Sequence, residues 1–350
     1  MHIQATHNLR QAILQSRNSL NFIRFLLASL VIWGHAYPLV EDRNSGMEFV
    51  AGMAVNLFFC ISGFLILASA QRIGLLSYLW RRFLRIFPGY WVSLLFIVLV
   101  AVPLSYLLGA SQFAWNTTES IRYLSNNFDL YKIQFSIPGT LDGMHYDAWN
   151  GSTWTLWYEF IAYLCLVPIA YIPIVKKYQK AVVTGAFILS LLMYPVLSYV
   201  DATTNMYWVF ARLAPMFLAG ALLYVWGEYI KVIPSLAVGA TIATVVLHML
   251  NNVYMMNSLQ ILFAYSVLAL AGVLKIYWGY KNDLSYGVYI YAFPVQQLLV
   301  ASGSSSYGIL TNTIITLALS MVLAYLSWNF VEKPAMNLKG MIGGRKEDYS

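Results

Sequence analysis

Ten stretches of about twenty mostly apolar residues run through this chain, at roughly 20–39, 48–70, 86–108, 153–174, 181–199, 205–226, 232–250, 257–275, 284–302 and 309–331. A bilayer core is crossed by about 20 residues of helix. Its lack of water forbids unpaired backbone groups, so only helices and closed barrels can span it. The runs show no strict alternation of apolar and polar residues, which argues for helices. Only 10% of the residues are charged, against about 25% in soluble proteins. The expectation is an all-α, polytopic integral membrane bundle of about ten transmembrane helices. The longest non-membrane segment is 109–152, read as a loop within a membrane domain over 20–335, with short tails at 1–19 and 336–350.

Charge placement gives the orientation. With the N-terminus inside, sixteen of the 21 Lys and Arg fall in cytoplasmic segments, and three (Arg43, Arg122 and Lys132) fall on the opposite side. This positive-inside asymmetry predicts both termini in the cytoplasm and makes 109–152 an outer loop. The net charge of +7 is therefore topological and points to membrane lipid, not to nucleic acid. The first span follows some twenty residues and is not succeeded by a small-x-small site, so it reads as a retained helix, not a cleaved signal. Cys60 and Cys165 both fall within spans, which suggests neither a disulfide nor a metal site. Asn116-Thr-Thr and Asn150-Gly-Ser match the glycosylation triplet, a pattern common by chance.

The first span, "NFIRFLLASLVIWGH", holds two ionisable groups, Arg24 and His35. Such groups cost roughly 2.5–3.5 kcal/mol each at the centre of a membrane helix. Eleven residues at 100° bring them within about 20° of one face, about 16 Å apart along the axis. A snorkelling arginine and an interfacial histidine would satisfy this pattern; so would a functional stripe. Glu159, in "NGSTWTLWYEFIAYL", falls about 9 Å below the outer end of the fourth span, a depth comparable to that of His35. A carboxylate and an imidazole at one level are expected to pair, since each alone would be an unpaired polar group in hydrocarbon. Such a pair suits a general base, and a purely structural pair would have the same sequence.

"WRRFLRIFPGYW", at the cytoplasmic end of the third span, places Arg81 and Arg85 on one helix face with Arg82 beside them. Guanidinium forks suit polyphosphate; the same cluster also serves as a lipid-facing flank. Arg212, in "RLAPMFLAGALLY", is a further charge inside a span. Asn56 and Ser62 in the second span, with Trp154, Arg212 and Tyr286, are candidates to contact an oxyanion or an acceptor; inter-helix hydrogen bonding is the plainer role for the first two. Gly63, Gly220 and Gly287 sit among bulky residues and suggest close helix approach. His145 in the outer loop and His248 near the outer end of the seventh span compete with His35, whereas His2 and His7 lie in the N-terminal tail.

Seven segments in order, "RFLLASLVIWGH", "NLFFCISGFLI", "RRFLRIFPGYW", "NGSTWTLWYE", "RLAPMFLAGALLY", "LSYGVYIYAFP" and "FVEKP", resemble the motifs of the membrane acyltransferase family 3 over about residues 19–335. The resemblance implies an integral membrane O-acyltransferase of the bacterial inner membrane. Its co-substrate would be a cytoplasmic acyl-CoA, usually acetyl-CoA, with no bound cofactor. Its acceptor would be a sugar hydroxyl of lipopolysaccharide, another cell-envelope polysaccharide or a glycolipid. By the same resemblance His35 is the essential histidine, Arg24 its partner arginine, Arg81, Arg82 and Arg85 the arginine cluster, and Glu159 the family's glutamate. One departure is visible: the ninth-span motif often reads Tyr-x-x-His-x-Pro, and Ala292 stands where histidine is frequent.

On that basis the arginines would hold the acyl-CoA near the cytoplasmic mouth. His35, oriented by Glu159, would take the proton from the attacking hydroxyl, by direct transfer or through an acyl-histidine. The outer loop carries Glu119, Asp129, Asp142 and Asp147 among aromatics and suits either a sugar-contacting cap or plain packing. The rival class is a transporter or flippase of an anionic or lipid-linked substrate, for which buried charges are equally characteristic.

Overall fold

A computed structural model describes residues 8–15, 17–41, 48–200, 206–250, 258–279 and 282–342. His2 and His7, and the side chain of His248, lie outside the described residues. The described chain is an all-α bundle without β-strands. Its helices are α1 (Leu9–Leu14), α2 (Leu20–Val40), α3 (Glu48–Ala70), α4 (Leu75–Phe96), α5 (Val102–Leu107), α6 (Thr117–Asn126), α7 (Trp154–Tyr171), α8 (Pro173–Lys177), α9 (Gln179–Tyr199), α10 (Met206–Val225), α11 (Pro234–Met249), α12 (Gln260–Val273), α13 (Ser285–Ala301), α14 (Gly308–Ser327) and α15 (Lys333–Asn337).

Among the described residues seven helical segments are long and apolar enough to cross a membrane. The seventh, eighth and ninth expected spans are occupied by α11, α12 and α13, of 16, 14 and 17 residues. All three fall short of the roughly 20 residues of a straight span. The third expected span differs most: its helix begins at Leu75, not at 86, and continues through a π-helical turn, Ile97–Ala101, into α5. Arg81, Arg82 and Arg85 are thus held within a rigid helix and do not flank one. The expected N-terminal tail also contains structure. Asn8 caps α1, Leu9 donates its N–H to the Ile230 carbonyl at 2.8 Å, and Arg10 pairs with Glu228 above the Tyr224 ring.

Helices in lipid gain little from hydrophobic burial against one another, so close approach of small residues must supply the contact. Gly63 of α3 and Gly220 of α10 do this reciprocally: a Cβ on the first would strike the Phe217 carbonyl, and one on the second the Cys60 carbonyl. Gly287 of α13 similarly abuts Ala324 of α14, and Gly34 of α2 abuts Ala51 of α3. This is the packing role expected for Gly63, Gly220 and Gly287.

The loop 109–152 folds back onto the bundle. Trp149 is wholly buried and donates to Thr140 at 2.9 Å. Gln297 of α13 donates to the carbonyls of Tyr146 and Ala148 at 2.5 and 2.8 Å, pinning the loop down. Asn150, Ser152 and Thr153, just ahead of α7, are buried. The Asn150 triplet is consequently inaccessible to a modifying enzyme in the folded chain.

Gly63→Ala is expected to destabilise the bundle, since overpacking costs about 1–3 kcal/mol. Gly185→Ala on α9, where a Cβ would meet nothing within 4 Å, should be neutral. Thermal unfolding of the two purified variants in one detergent checks the contrast; equal melting temperatures would contradict the packing.

Candidate functional site

Two chambers adjoin within the bundle, of about 390 and 630 Å³, each in the range of small-molecule sites. The smaller is lined by Arg24, Arg82, Arg85, Glu159 and Asp283, with an apolar wall from Val55, Phe58, Phe59, Leu65 and Ile66. The larger is lined by His35, His145, Asp147, Trp154 and Arg212, with Phe135, Tyr146 and Phe293. Val55 and Tyr289 belong to both walls and stand where the chambers meet.

The arginine chamber is organised by Asp283, just ahead of α13. Its Oδ2 accepts from Arg24 Nη1 of α2 and Arg85 Nη2 of α4, both at 2.6 Å. Its Oδ1 accepts from the backbone N–H and hydroxyl of Ser285, the first residue of α13, at 3.2 and 2.5 Å. Burial alone would raise this carboxyl, but the two guanidiniums and the Ser285 bonds outweigh it and hold Asp283 at about 2. Arg85 also faces Glu332 at 3.7 Å and lies over the Tyr286 ring. Glu332 enters from a second π-helical turn, Trp328–Glu332, and accepts from the Ser327 hydroxyl at 3.0 Å. Glu159 accepts from the hydroxyls of Ser62, at 3.0 Å, and Tyr163. Arg82 lies 5.8 Å from the centres of the Tyr163 and Tyr78 rings.

In the histidine chamber, His35 is half-buried and meets the edge of Phe293 at 5.3 Å between ring centres. Gly151 leaves the room that Phe293 occupies. Arg212 stacks over Trp154 at 5.5 Å, and its buried Nε has no hydrogen-bond partner among the described residues. The Tyr289 hydroxyl donates to the Ser152 carbonyl and exchanges a 2.6 Å bond with Thr155, which fixes this ring between the chambers. Burial raises the Asp147 carboxyl above the ordinary range; a Ser136 hydrogen bond opposes this and Asp142 adds to it.

Several expected relations hold and others do not. Arg24 and His35 do line one path, one chamber each. His35 and Glu159 do not pair: Glu159 faces the arginine chamber, bonded to Ser62 and Tyr163, and His35 faces the other. The physical reason is local: the Ser62 and Tyr163 hydroxyls satisfy Glu159 on the side of the arginine chamber. Arg82 and Arg85 line the arginine chamber, whereas Arg81 lines neither chamber. Ser62 and Tyr286 line the arginine chamber, and Tyr286 spends its hydroxyl on the Ile86 carbonyl at 2.6 Å. Trp154 and Arg212 line the histidine chamber; Asn56 lines neither. Ala292 is buried with Ala28, Ile32, Val288 and Ala324 in an apolar contact away from both chambers.

Asp283, Glu332 and Tyr289 escape a reading of the sequence. Asp283 sits at the edge of a span, where a charge is unremarkable. Glu332 is visible only as part of "FVEKP", and Tyr289 is one of 26 tyrosines. Removing Asp283 would leave Arg24 without its carboxylate and Arg85 with only the 3.7 Å contact to Glu332, so Asp283→Ala should cost about 3–5 kcal/mol at neutral pH. Because the folded carboxyl sits near 2, below its ordinary 3.8, this contribution is complete above about pH 4 and fades as pH falls towards 2. Unfolding curves of both proteins across that range should converge at the acid end; a gap that widened there would contradict the ion-pair assignment.

Residues 17–329 match the family model Acyl_transf_3, described as an acyltransferase domain. The chain is 28% identical over 345 residues to an "O-acetyl transferase" of Shigella phage Sf6, covering 90% of this chain and 95% of that protein. It is 28% identical over 367 residues to "Nodulation protein 10" of Rhizobium leguminosarum bv. viciae, covering 94% and 96%. No solved structure matches the chain.

Proposed function

The chain belongs to the acyltransferase family matched over residues 17–329, and from that premise we propose that it moves an acyl group, in the first instance acetyl, from cytoplasmic acyl-CoA to a sugar hydroxyl of an envelope or exported glycan. The observation that carries this reading is the junction of two chemically distinct chambers at Val55 and Tyr289. One has guanidiniums suited to a coenzyme donor, and the other has an imidazole suited to deprotonating a hydroxyl. The phage relative is named an O-acetyl transferase, which supports oxygen as the accepting atom and acetyl as the group.

The donor enters the arginine chamber and presents its thioester near Tyr289. The acceptor occupies the histidine chamber under the loop 109–152, where Phe135, Tyr146 and Trp154 offer flat faces to a sugar ring. His35 takes the hydroxyl proton as the oxygen attacks the thioester carbonyl; the C–S bond then breaks and CoA leaves as its thiolate, to be protonated in turn. Arg212, which lines the same chamber as His35, would stabilise charge developing on the carbonyl oxygen. Glu159 has no part in orienting His35. It acts within the arginine chamber, through Tyr163, on the wall that Arg82 shares. The chain sits in the bacterial inner membrane in this reading, with the basic end of the bundle in the cytoplasm.

Positioned base catalysis contributes about 10²–10⁴-fold, so His35→Ala should lose transfer by that factor while still binding acyl-CoA. Purified protein in liposomes, with acetyl-labelled CoA and host envelope glycan, reads both thioester loss and acetyl transfer. Undiminished transfer by the variant would remove His35 from the chemical step. Uptake of a labelled glycolipid or anion without any CoA would favour a transporter instead.

A further inference from the structure

Residues 128–133 form a short finger whose two ends are held by one side chain. Asn127 is wholly buried; its Oδ1 accepts from the Gln134 N–H at 3.0 Å and its Nδ2 donates to the Gln134 carbonyl at 3.1 Å. Within the finger Asp129 accepts from the Tyr131 N–H at 3.0 Å. Leu130, wholly buried, and Lys132 take φ of 66° and 51°, a region that residues with a side chain seldom occupy. What this fixed finger turns outward is mostly apolar. Phe128 is 58% exposed and Tyr131 43%. The exposed Lys132 places its Nζ 5.4 Å from the centre of the Tyr131 ring.

The finger rests on two membrane helices. Phe128 stacks on Trp91 of α4 with ring centres 4.8 Å apart, and its carbonyl accepts from Trp91 Nε1 at 2.9 Å. Tyr131 meets Trp157 of α7 at 5.0 Å. Beyond Trp91 the rings continue along α4, to Phe87 at 5.5 Å and from there to Phe83 at 4.8 Å, with Phe160 of α7 against Phe87 at 5.5 Å. Positions 83, 87 and 91 share one helix face and climb about 12 Å along its axis. An interfacial belt sits at headgroup level, whereas this track runs along a helix and continues into the loop. Its upper end leads to the histidine chamber: Phe135, one residue past the Asn127 clamp, lines that chamber with His35 and Trp154.

Resting on the acyl-transfer reading above and the orientation given with it, we propose that the acceptor comes to the histidine chamber as a glycan joined through phosphate to a long-chain membrane lipid. The chain lies on the ring track of α4 and α7, the phosphate meets Lys132, and the sugar passes over Phe135 to His35. Flat rings give a hydrocarbon chain contact area at little cost in side-chain freedom. Lys132 adds a cation where the track leaves the membrane for the loop, the level at which a lipid phosphate sits. Anchoring one end of the acceptor in this way makes the sugar's entry an intramolecular step at raised local concentration.

Two measurements test the surface and its use. In the first, a polyprenyl phosphate with a photoreactive diazirine in its chain is irradiated with the purified protein in phosphatidylcholine nanodiscs, and labelled peptides are read by mass spectrometry. The expected label falls on 83–91, 128–131 and 157–160, and is displaced by unlabelled polyprenyl phosphate but not by phosphatidylglycerol. Label spread around the bundle, or displaced equally by phosphatidylglycerol, would make this a bulk-lipid face and overturn the proposal. In the second, acetyl transfer is compared for host envelope glycan on its polyprenyl diphosphate and for the same glycan released from the lipid. Lys132→Gln should raise KM for the lipid-linked form about fivefold, as one surface cation beside an anionic headgroup implies, with the released form unchanged; Phe128→Ala should act in the same sense. Equal changes for both forms, or no change for either, would count against a lipid-linked acceptor. The labelling needs no turnover, so it decides the surface even if wild type acetylates neither form, an outcome that would tell against the acyl-transfer reading alone. Both substituted side chains are exposed, so the variants keep the packed core.

Discussion

A guanidinium inside a membrane bundle is costly unless it is paired or faces a hydrated cavity. In this protein Asp283 meets two. One of its oxygens bonds Ser285, the first residue of α13, and the other holds Arg24 of α2 and Arg85 of α4 at 2.6 Å each. Three helices are thereby tied at a single group. The consequence runs along α13, which leaves this anchor and carries Tyr286 into the first chamber, Tyr289 to the junction and Phe293 against His35. Further along it carries Gln297 to the loop carbonyls. The position of α13 sets both chambers at once, and its position is set by an ion pair at its start.

What was legible in the sequence was largely one-dimensional. The apolar runs located the helices because burial in lipid depends on length and composition. The eleven-residue spacing of Arg24 and His35 located two walls because it concerns one continuous helix, α2. The failures all needed a second element. The pairing of His35 with Glu159 required knowing which helices face each side of α7, and Ser62 of α3 with Tyr163 takes up Glu159 instead. The orientation of Arg81 away from the chambers required the neighbours of α4, a helix that starts well before its apolar run. Asp283 and Glu332 come together across about fifty residues of chain, and nothing local to either announces it.

Ala292 shows how such a departure is absorbed. Histidine is frequent at this place in the motif, yet here the position packs among Ala28, Ile32, Val288 and Ala324. A polar ring at this point would need a partner that those four residues do not offer. His145 and Asp147 instead reach the histidine chamber from the loop, so its polar equipment comes from a different part of the chain.

A membrane enzyme that joins substrates from opposite sides must connect two spaces without opening a pore. The junction at Val55 and Tyr289 meets that demand in physical terms. Tyr289 is held by the Ser152 carbonyl and by Thr155, and Val55 offers no polar group, so a hydrated ion passing between the chambers would have to shed water with little in exchange. An acyl carbonyl carries no net charge and incurs far less of that cost. In the proposed transfer, a junction lined in this way would favour passage of the uncharged acyl group over that of a hydrated ion.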